Sequence, residues 1–170
     1  MPRGEGRPEL LTFPAWGPSG SRVQKDEKRY GNGELPPLKT HWEGDETVTR
    51  FRPEAFHTAI PGYVYGGLIA SLIDCHGTGT AAAVMYHAGG REMDSEPPVR
   101  FVTGSLHVDF LKPTPLRGEL EIRGRVREIK GRKVIVEATV YSEGVATARG
   151  EMVAVQMPES FLRQQEKHPV

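Results

Sequence analysis

An aspartate stands inside an apolar run that opens on two glycines, Gly66-Gly67-Leu68-Ile69-Ala70-Ser71-Leu72-Ile73-Asp74. A carboxylate withdrawn from water is costly unless something needs it there. A helix that starts on glycine presents bare backbone N–H groups to whatever lies in front of it. Together these describe a base or nucleophile beside an anion-receptive helix end, which suits acyl chemistry. Other chemistries find less support. Cys75 and His76 follow Asp74, but adjacent helix residues point apart. No other cysteine or spaced histidine pair completes a metal site, so no metal is expected. A glycine-rich nucleotide loop is also missing, and no cofactor is expected.

The elements around this run must position it. From Gly66 to about Met85 the chain is apolar on most sides, which predicts a buried helix. Ala70, Asp74, Gly77, Thr78 and Ala81 share one small-residue face, open to close approach by another backbone. Upstream, Thr47 to Pro53 alternates as a strand, and His57 to Tyr65 reads as a loop. Downstream, a polar loop from His87 to Pro98 leads into four alternating segments: Phe101 to Leu111, Gly118 to Lys130, Lys133 to Tyr141 and Val145 to Met157. Lys112-Pro113-Thr114-Pro115, Gly131-Arg132 and Ser142-Glu143-Gly144 break them. The order predicts an α+β fold, an antiparallel sheet of about five to six strands around one long helix. Its open edge favours pairing with a second copy. Residues 1–45, rich in Pro, Gly and charge, read as an N-terminal arm whose apolar patch runs from Leu10 to Trp16. Residues 46–157 form the domain, and 158–170 a charged tail.

Composition narrows the partners. At 170 residues one domain is expected, and Lys plus Arg (22) balance Asp plus Glu (22). Zero net charge gives no bulk attraction to nucleic acid or an anionic membrane, so an anionic ligand needs a local basic cluster. The single cysteine excludes an internal disulfide and fits a reducing compartment. No apolar run in the sequence approaches the roughly 18 residues of a membrane span. The first residues lack the apolar core of a secretion signal. The expected location is cytoplasmic.

The run Pro61-Gly62-Tyr63-Val64-Tyr65-Gly66-Gly67 leading to Asp74, with Val102-Thr103-Gly104-Ser105-Leu106-His107-Val108-Asp109-Phe110-Leu111-Lys112-Pro113 further on, resembles the hotdog-fold thioesterases of the phenylacetate-pathway and acyl-CoA thioesterase type. Their motif is His-Gly-Gly with an acid nine residues after the histidine; here Tyr65 takes the histidine's place. The resemblance covers about residues 46–157. It implies hydrolysis of an acyl-coenzyme A thioester, with coenzyme A entering only as part of the substrate. Asp74 would be base or nucleophile, and the amides of Gly66 and Gly67 the oxyanion hole. His57 would hold the attacking water, and Thr103 would reach in from a partner subunit. Tyr63, Val64, Tyr65 and Ile73 would contact substrate, in a tunnel that Ile60, Ile69 and Leu72 also line. Lys112, Arg117 and Arg132 are the candidates for coenzyme A phosphates. A homodimer, or a tetramer or hexamer built from it, is expected. Asp74 lies roughly 10 Å along the helix from its start, so Asp74 of one chain is expected to serve the helix start of the other. Two alternatives stand beside this reading. One is a hotdog hydratase or dehydratase acting on enoyl or 3-hydroxyacyl thioesters, with His57 as base and Asp74 as its acid partner. The other is a non-catalytic acyl-binding protein in which Tyr65 marks lost activity.

Overall fold

A computed structural model describes residues 10–12, 38–92 and 95–161. The expected N-terminal arm and C-terminal tail therefore fall mostly outside the described residues. The element order is β1 (Leu10–Thr12), β2 (Lys39–Glu43), β3 (Glu46–Phe51), β4 (Thr58–Ile60), β5 (Tyr63–Val64), α1 (Gly66–Ala88), β6 (Phe101–Phe110), β7 (Leu120–Lys130), β8 (Lys133–Ser142) and β9 (Val145–Gln156). Seven strands form one antiparallel sheet in the order β1-β2-β3-β7-β8-β9-β6, and β4 pairs with β5 in a separate small hairpin. The sheet curls around α1, giving the expected hotdog architecture.

Two strands precede the boundary expected at residue 46. Strand β2 gave no apolar alternation because its buried inward residue is Thr40, whose hydroxyl bonds Thr49 across the β2–β3 hairpin at 2.6 Å. The stretch read as a loop from His57 to Tyr65 contains the β4–β5 hairpin. That hairpin is tied to the segment after β6 by Val64 N–H to Thr114 O and Leu116 N–H to Gly62 O, each at 2.9 Å.

Helix α1 has no single apolar stripe because the sheet covers most of it. Leu68, Ile69, Leu72 and Ile73 pack with Phe51, Leu120, Ile122, Ala138, Val140 and Ala148 at one end. Ala81 packs with Val134, Val136, Met152 and Ala154 at the other. By length and composition α1 is long and apolar enough to cross a bilayer, yet most of it is buried inside this fold. Two glycines of β7 and β9 allow the close approach. A Cβ at Gly150 would lie 2.5 Å from Ile73 Cγ2, and one at Gly124 2.5 Å from His76 Nε2.

The outer face of the sheet is polar. Arg123 bridges Glu43, Glu46 and Glu121; Arg50 joins Glu43 to Glu121; Arg127 joins Glu137 to Glu151. The His41 ring, with Arg50 and Arg123 behind it, holds the Glu43 carboxyl down at about 2. Mutual satisfaction of these charges makes this face a solvated surface rather than a second core.

Candidate active site

Helix α1 opens with nothing blocking its amides. Its N-cap, Tyr65, is extended (φ −73°, ψ 146°) and gives no side-chain cap, and the first turn holds no acid. Leu68 N–H is taken by Tyr65 O at 3.1 Å, while Tyr65 N–H goes to His57 O. Among the described residues no bond takes the N–H of Gly66 or Gly67, so both are free at the positive end of the helix dipole. A side chain at either glycine would press on an exposed aromatic ring, which must give way by a few tenths of an ångström. A Cβ at Gly67 would lie 3.0 Å from the Tyr65 ring, and one at Gly66 3.2 Å from the Phe110 ring. Two exposed aromatic rings therefore flank the two amides.

From these amides the uncovered stripe of α1 runs through Ser71 to Asp74 and Thr78. Asp74 is half-buried, so the apolar sequence around it reflects burial of the other helix faces. Thr103 of β6 donates to Asp74 Oδ1 at 2.5 Å, within the same chain. Within one chain Thr103 is thus the neighbour of its own Asp74, an arrangement the expectation of a partner-supplied Thr103 did not include. The cause is a β-bulge. Leu106 pairs with Met152 and Val108 with Gly150 on the inner face, so strict alternation would turn Thr103 outward. Gly104 is the extra residue in the pairing of Thr103 with Ala154 and Ser105 with Val153, and it resets the alternation. Thr103 consequently faces the helix.

An open groove of about 410 Å³ lies at the helix start, lined by Val64, Gly66, Ile69, Phe110, Leu111, Lys112, Pro113 and Thr114. Val64 and Lys112, two of the residues expected to contact substrate, are among those lining this groove. Phe110 and Thr114 were missed; the alternation of Leu106, Val108 and Phe110 was the available signal for the former.

Several expected site residues lie elsewhere. Ile73 and Leu72 are fully buried against the sheet and do not line the groove. His57 is 2% exposed; its Nδ1 accepts Glu54 N–H at 2.8 Å and its ring packs against Phe56 and Phe51. That acceptor role leaves the proton on Nε2, which is buried and has no partner among the described residues. His57 holds the loop that leads into α1, and in this chain its ring does not reach groove solvent. Tyr63 and Ile60 are exposed on the β4–β5 hairpin. Arg117 is 82% exposed near Glu143 before β7, and Arg132 follows β7, where its guanidinium reaches Gln156 O. The 11 residues of β7 separate these two arginines by roughly 30 Å, so one phosphate cannot engage both in a single chain. Burial, and then the Asp74 charge, push the Cys75 thiol up. Among the described residues no group of three His, Cys, Asp or Glu side chains comes together as a metal site.

The arrangement offers two free amides and a carboxylate held by a hydroxyl, all on one helix face. A solved thioesterase superfamily protein from Shewanella loihica PV-4 is 51% identical, with a TM-score of 0.58 over 71% of this chain and 91% of that one. The acyl-coenzyme A thioesterase THEM4 of Xenopus laevis is 31% identical over 108 residues, 64% of this chain and 43% of that protein. The chain thus spans under half the length of that curated relative. The Streptococcus mutans protein smu.793, solved bound to acetyl CoA, is 15% identical with a TM-score of 0.59 over 76% of this chain and 96% of that one, a likeness of fold. The family model of the thioesterase superfamily matches residues 61–148, just over half the chain, and the chain belongs to that superfamily.

Proposed function

We propose that this chain hydrolyses acyl-coenzyme A thioesters, with Asp74 as the catalytic carboxylate. The observation that carries this is the Thr103–Asp74 pair on the same uncovered helix stripe as the free amides of Gly66 and Gly67. In the reaction, Asp74 takes a proton from water as the water oxygen bonds the thioester carbon. Negative charge builds on the carbonyl oxygen and is met by the two amides; removing such a donor typically costs about 3 kcal/mol of barrier. The C–S bond then breaks and the thiolate collects the proton. Thiolates leave readily, so one carboxylate suffices without a separate acid. Thr103 donates to one carboxylate oxygen and leaves the other to the water.

Gly67 and Asp74 are seven residues apart, about 10 Å along the axis. One small carbonyl group does not span that gap. A second copy laid antiparallel along the free β6 edge would bring its Asp74 to these amides, so we assign a homodimer with two shared sites. The exposed Tyr65, Phe110 and Leu111 at that end support it. Lys112 on the groove rim is the cation placed to meet a coenzyme A phosphate. In such a dimer Arg132 of the second copy approaches the same end. The acetyl CoA complex of the Streptococcus mutans relative shows a protein of this fold holding such a ligand. The buried, donor-occupied His57 ring weighs against the hydratase alternative, which needs that imidazole as a base at the substrate.

The test is thiol release over a panel of acyl-coenzyme A substrates, parent beside Asp74→Asn. We expect a fall in kcat of at least about 100-fold, with KM nearly unchanged. Equal rates for the two proteins would remove Asp74 from the mechanism.

A further inference from the structure

His76 is fully buried two residues beyond Asp74, and the mechanism above does not use it. It belongs to a set of hydroxyl bonds joining α1 to β2 and β3, with Gly124 O of β7 as a longer second acceptor for the Thr47 hydroxyl at 3.3 Å. Its Nδ1 lies 2.7 Å from Thr49 Oγ1, and Thr49 Oγ1 lies 2.6 Å from Thr40 Oγ1. Its Nε2 lies 3.1 Å from Thr47 Oγ1, which is 2.7 Å from Thr80 Oγ1. Thr80 Oγ1 donates to His76 O at 2.8 Å. One assignment satisfies every member. Thr40 donates to Thr49, and Thr49 to His76 Nδ1. His76 Nε2–H donates to Thr47, Thr47 to Thr80, and Thr80 to the His76 carbonyl. The opposite tautomer leaves the Thr40 proton without an acceptor among these groups. Burial pushes the His76 imidazole down to about 3, so it stays neutral and keeps this pattern.

Rotation by 100° per residue places His76 about 200° from Asp74 around α1. The imidazole is bonded on one side of the helix, and the carboxylate faces Thr103 on the other. Thr47 and Thr49 are alternate residues on the inner face of β3, so a ring bonded to both cannot follow a turn of the helix. Gly124 opposite Thr47 leaves room for this ring, since a Cβ there would meet Nε2 at 2.5 Å. With side chains reaching about 5.5 Å from the axis, a 10° turn of α1 carries the carboxylate about 1 Å. A misplacement of about 1 Å can cost roughly 100-fold in rate.

We propose that His76 is a positioning residue: its bonds to Thr47 and Thr49 set the rotation of α1 and thereby aim Asp74 at Thr103 and the attacking water. This rests on the reading of Asp74 as the catalytic carboxylate. The experiment measures kcat, KM and urea unfolding for full-length His76→Gln, Thr49→Val and Thr49→Ser, with Thr49→Val also made in Asp74→Asn. We expect His76→Gln and Thr49→Val to lose about tenfold or more in kcat while folded, with KM within about twofold. Thr49→Ser, which keeps the hydroxyl, should recover most of the rate. In Asp74→Asn the added Thr49→Val should change the residual rate less than about twofold, because its effect passes through that carboxylate. Parent kcat in folded Thr49→Val would overturn the proposal, and so would a loss matched by the unfolded fraction. An undiminished loss in the Asp74→Asn background would also overturn it. Should His76→Gln fail to fold, Thr49→Val alone decides. A parent rate for Asp74→Asn by itself would instead remove the catalytic reading beneath it.

Discussion

Gly104→Ala probes the bulge that turns Thr103 inward. A Cβ built there lies 2.9 Å from Val155 Cγ2 and 3.2 Å from Val153 O. Ordinary contact begins near 3.4 Å, so relief requires about 0.5 Å at Val155 and 0.2 Å at a backbone oxygen that cannot rotate away. Overpacking of this kind costs about 1–3 kcal/mol, and in the proposed dimer β6 is held by a strand on each side, so about 2 kcal/mol is expected. The same shift draws Thr103 from Asp74 and lengthens their 2.5 Å bond toward 3 Å. If 1 Å is worth roughly 100-fold, half of it is worth about tenfold in kcat. Urea unfolding measures the first number and thiol release the second. The comparison that decides is the double variant with Thr103→Val. If the bulge acts through Thr103, Gly104→Ala costs little more once that hydroxyl is gone. Full additivity, or a parent rate in Gly104→Ala, would refute this account.

Two further outcomes follow from particular residues. Glu143 has φ +49° and Gly144 φ +76°, a two-residue hairpin turn between Ser142 and Val145 that suits Asn-Gly better than Glu-Gly. Glu143→Asn should raise stability by about 0.5–1 kcal/mol, and an unchanged or lower urea midpoint would count against it. The buried His76 makes the fold acid-sensitive. Its folded value of about 3 lies below its ordinary 6.5, so between these pH values the unfolded chain binds the extra proton. Stability should therefore fall as pH drops from about 6.5 toward 3, and His76→Gln should flatten that limb of a pH–melting curve.

The candidate run could be read from sequence because its signals are local. Gly66, Gly67 and Asp74 declare themselves by residue type and spacing, and the strands after residue 100 by alternation. What could not be read depended on contacts made elsewhere. Alternation alone points Thr103 outward, and the bulge at Gly104 that reverses it depends on pairing with β9. Helix α1 is apolar on most sides, so no periodicity separated Ile73 and Leu72, which face the sheet, from residues beside the open stripe. Strand β2 hid because its inward Thr40 is satisfied by Thr49, a partnership that no hydrophobic pattern announces. His57, expected to hold the attacking water, is buried with its Nδ1 taken by Glu54 N–H, a bond that no sequence pattern announces.

The two rims of the sheet are unequal. Ten-residue β6 borders one side, while three-residue β1 borders the other. In the proposed dimer, two copies zipped together along β6 would consume the only lengthy unpaired ladder either possesses among the described residues. What is left outward is too short to template a third. Growth by this route would then stop at two, and the exposed backbone ladder would be kept from running on into fibres.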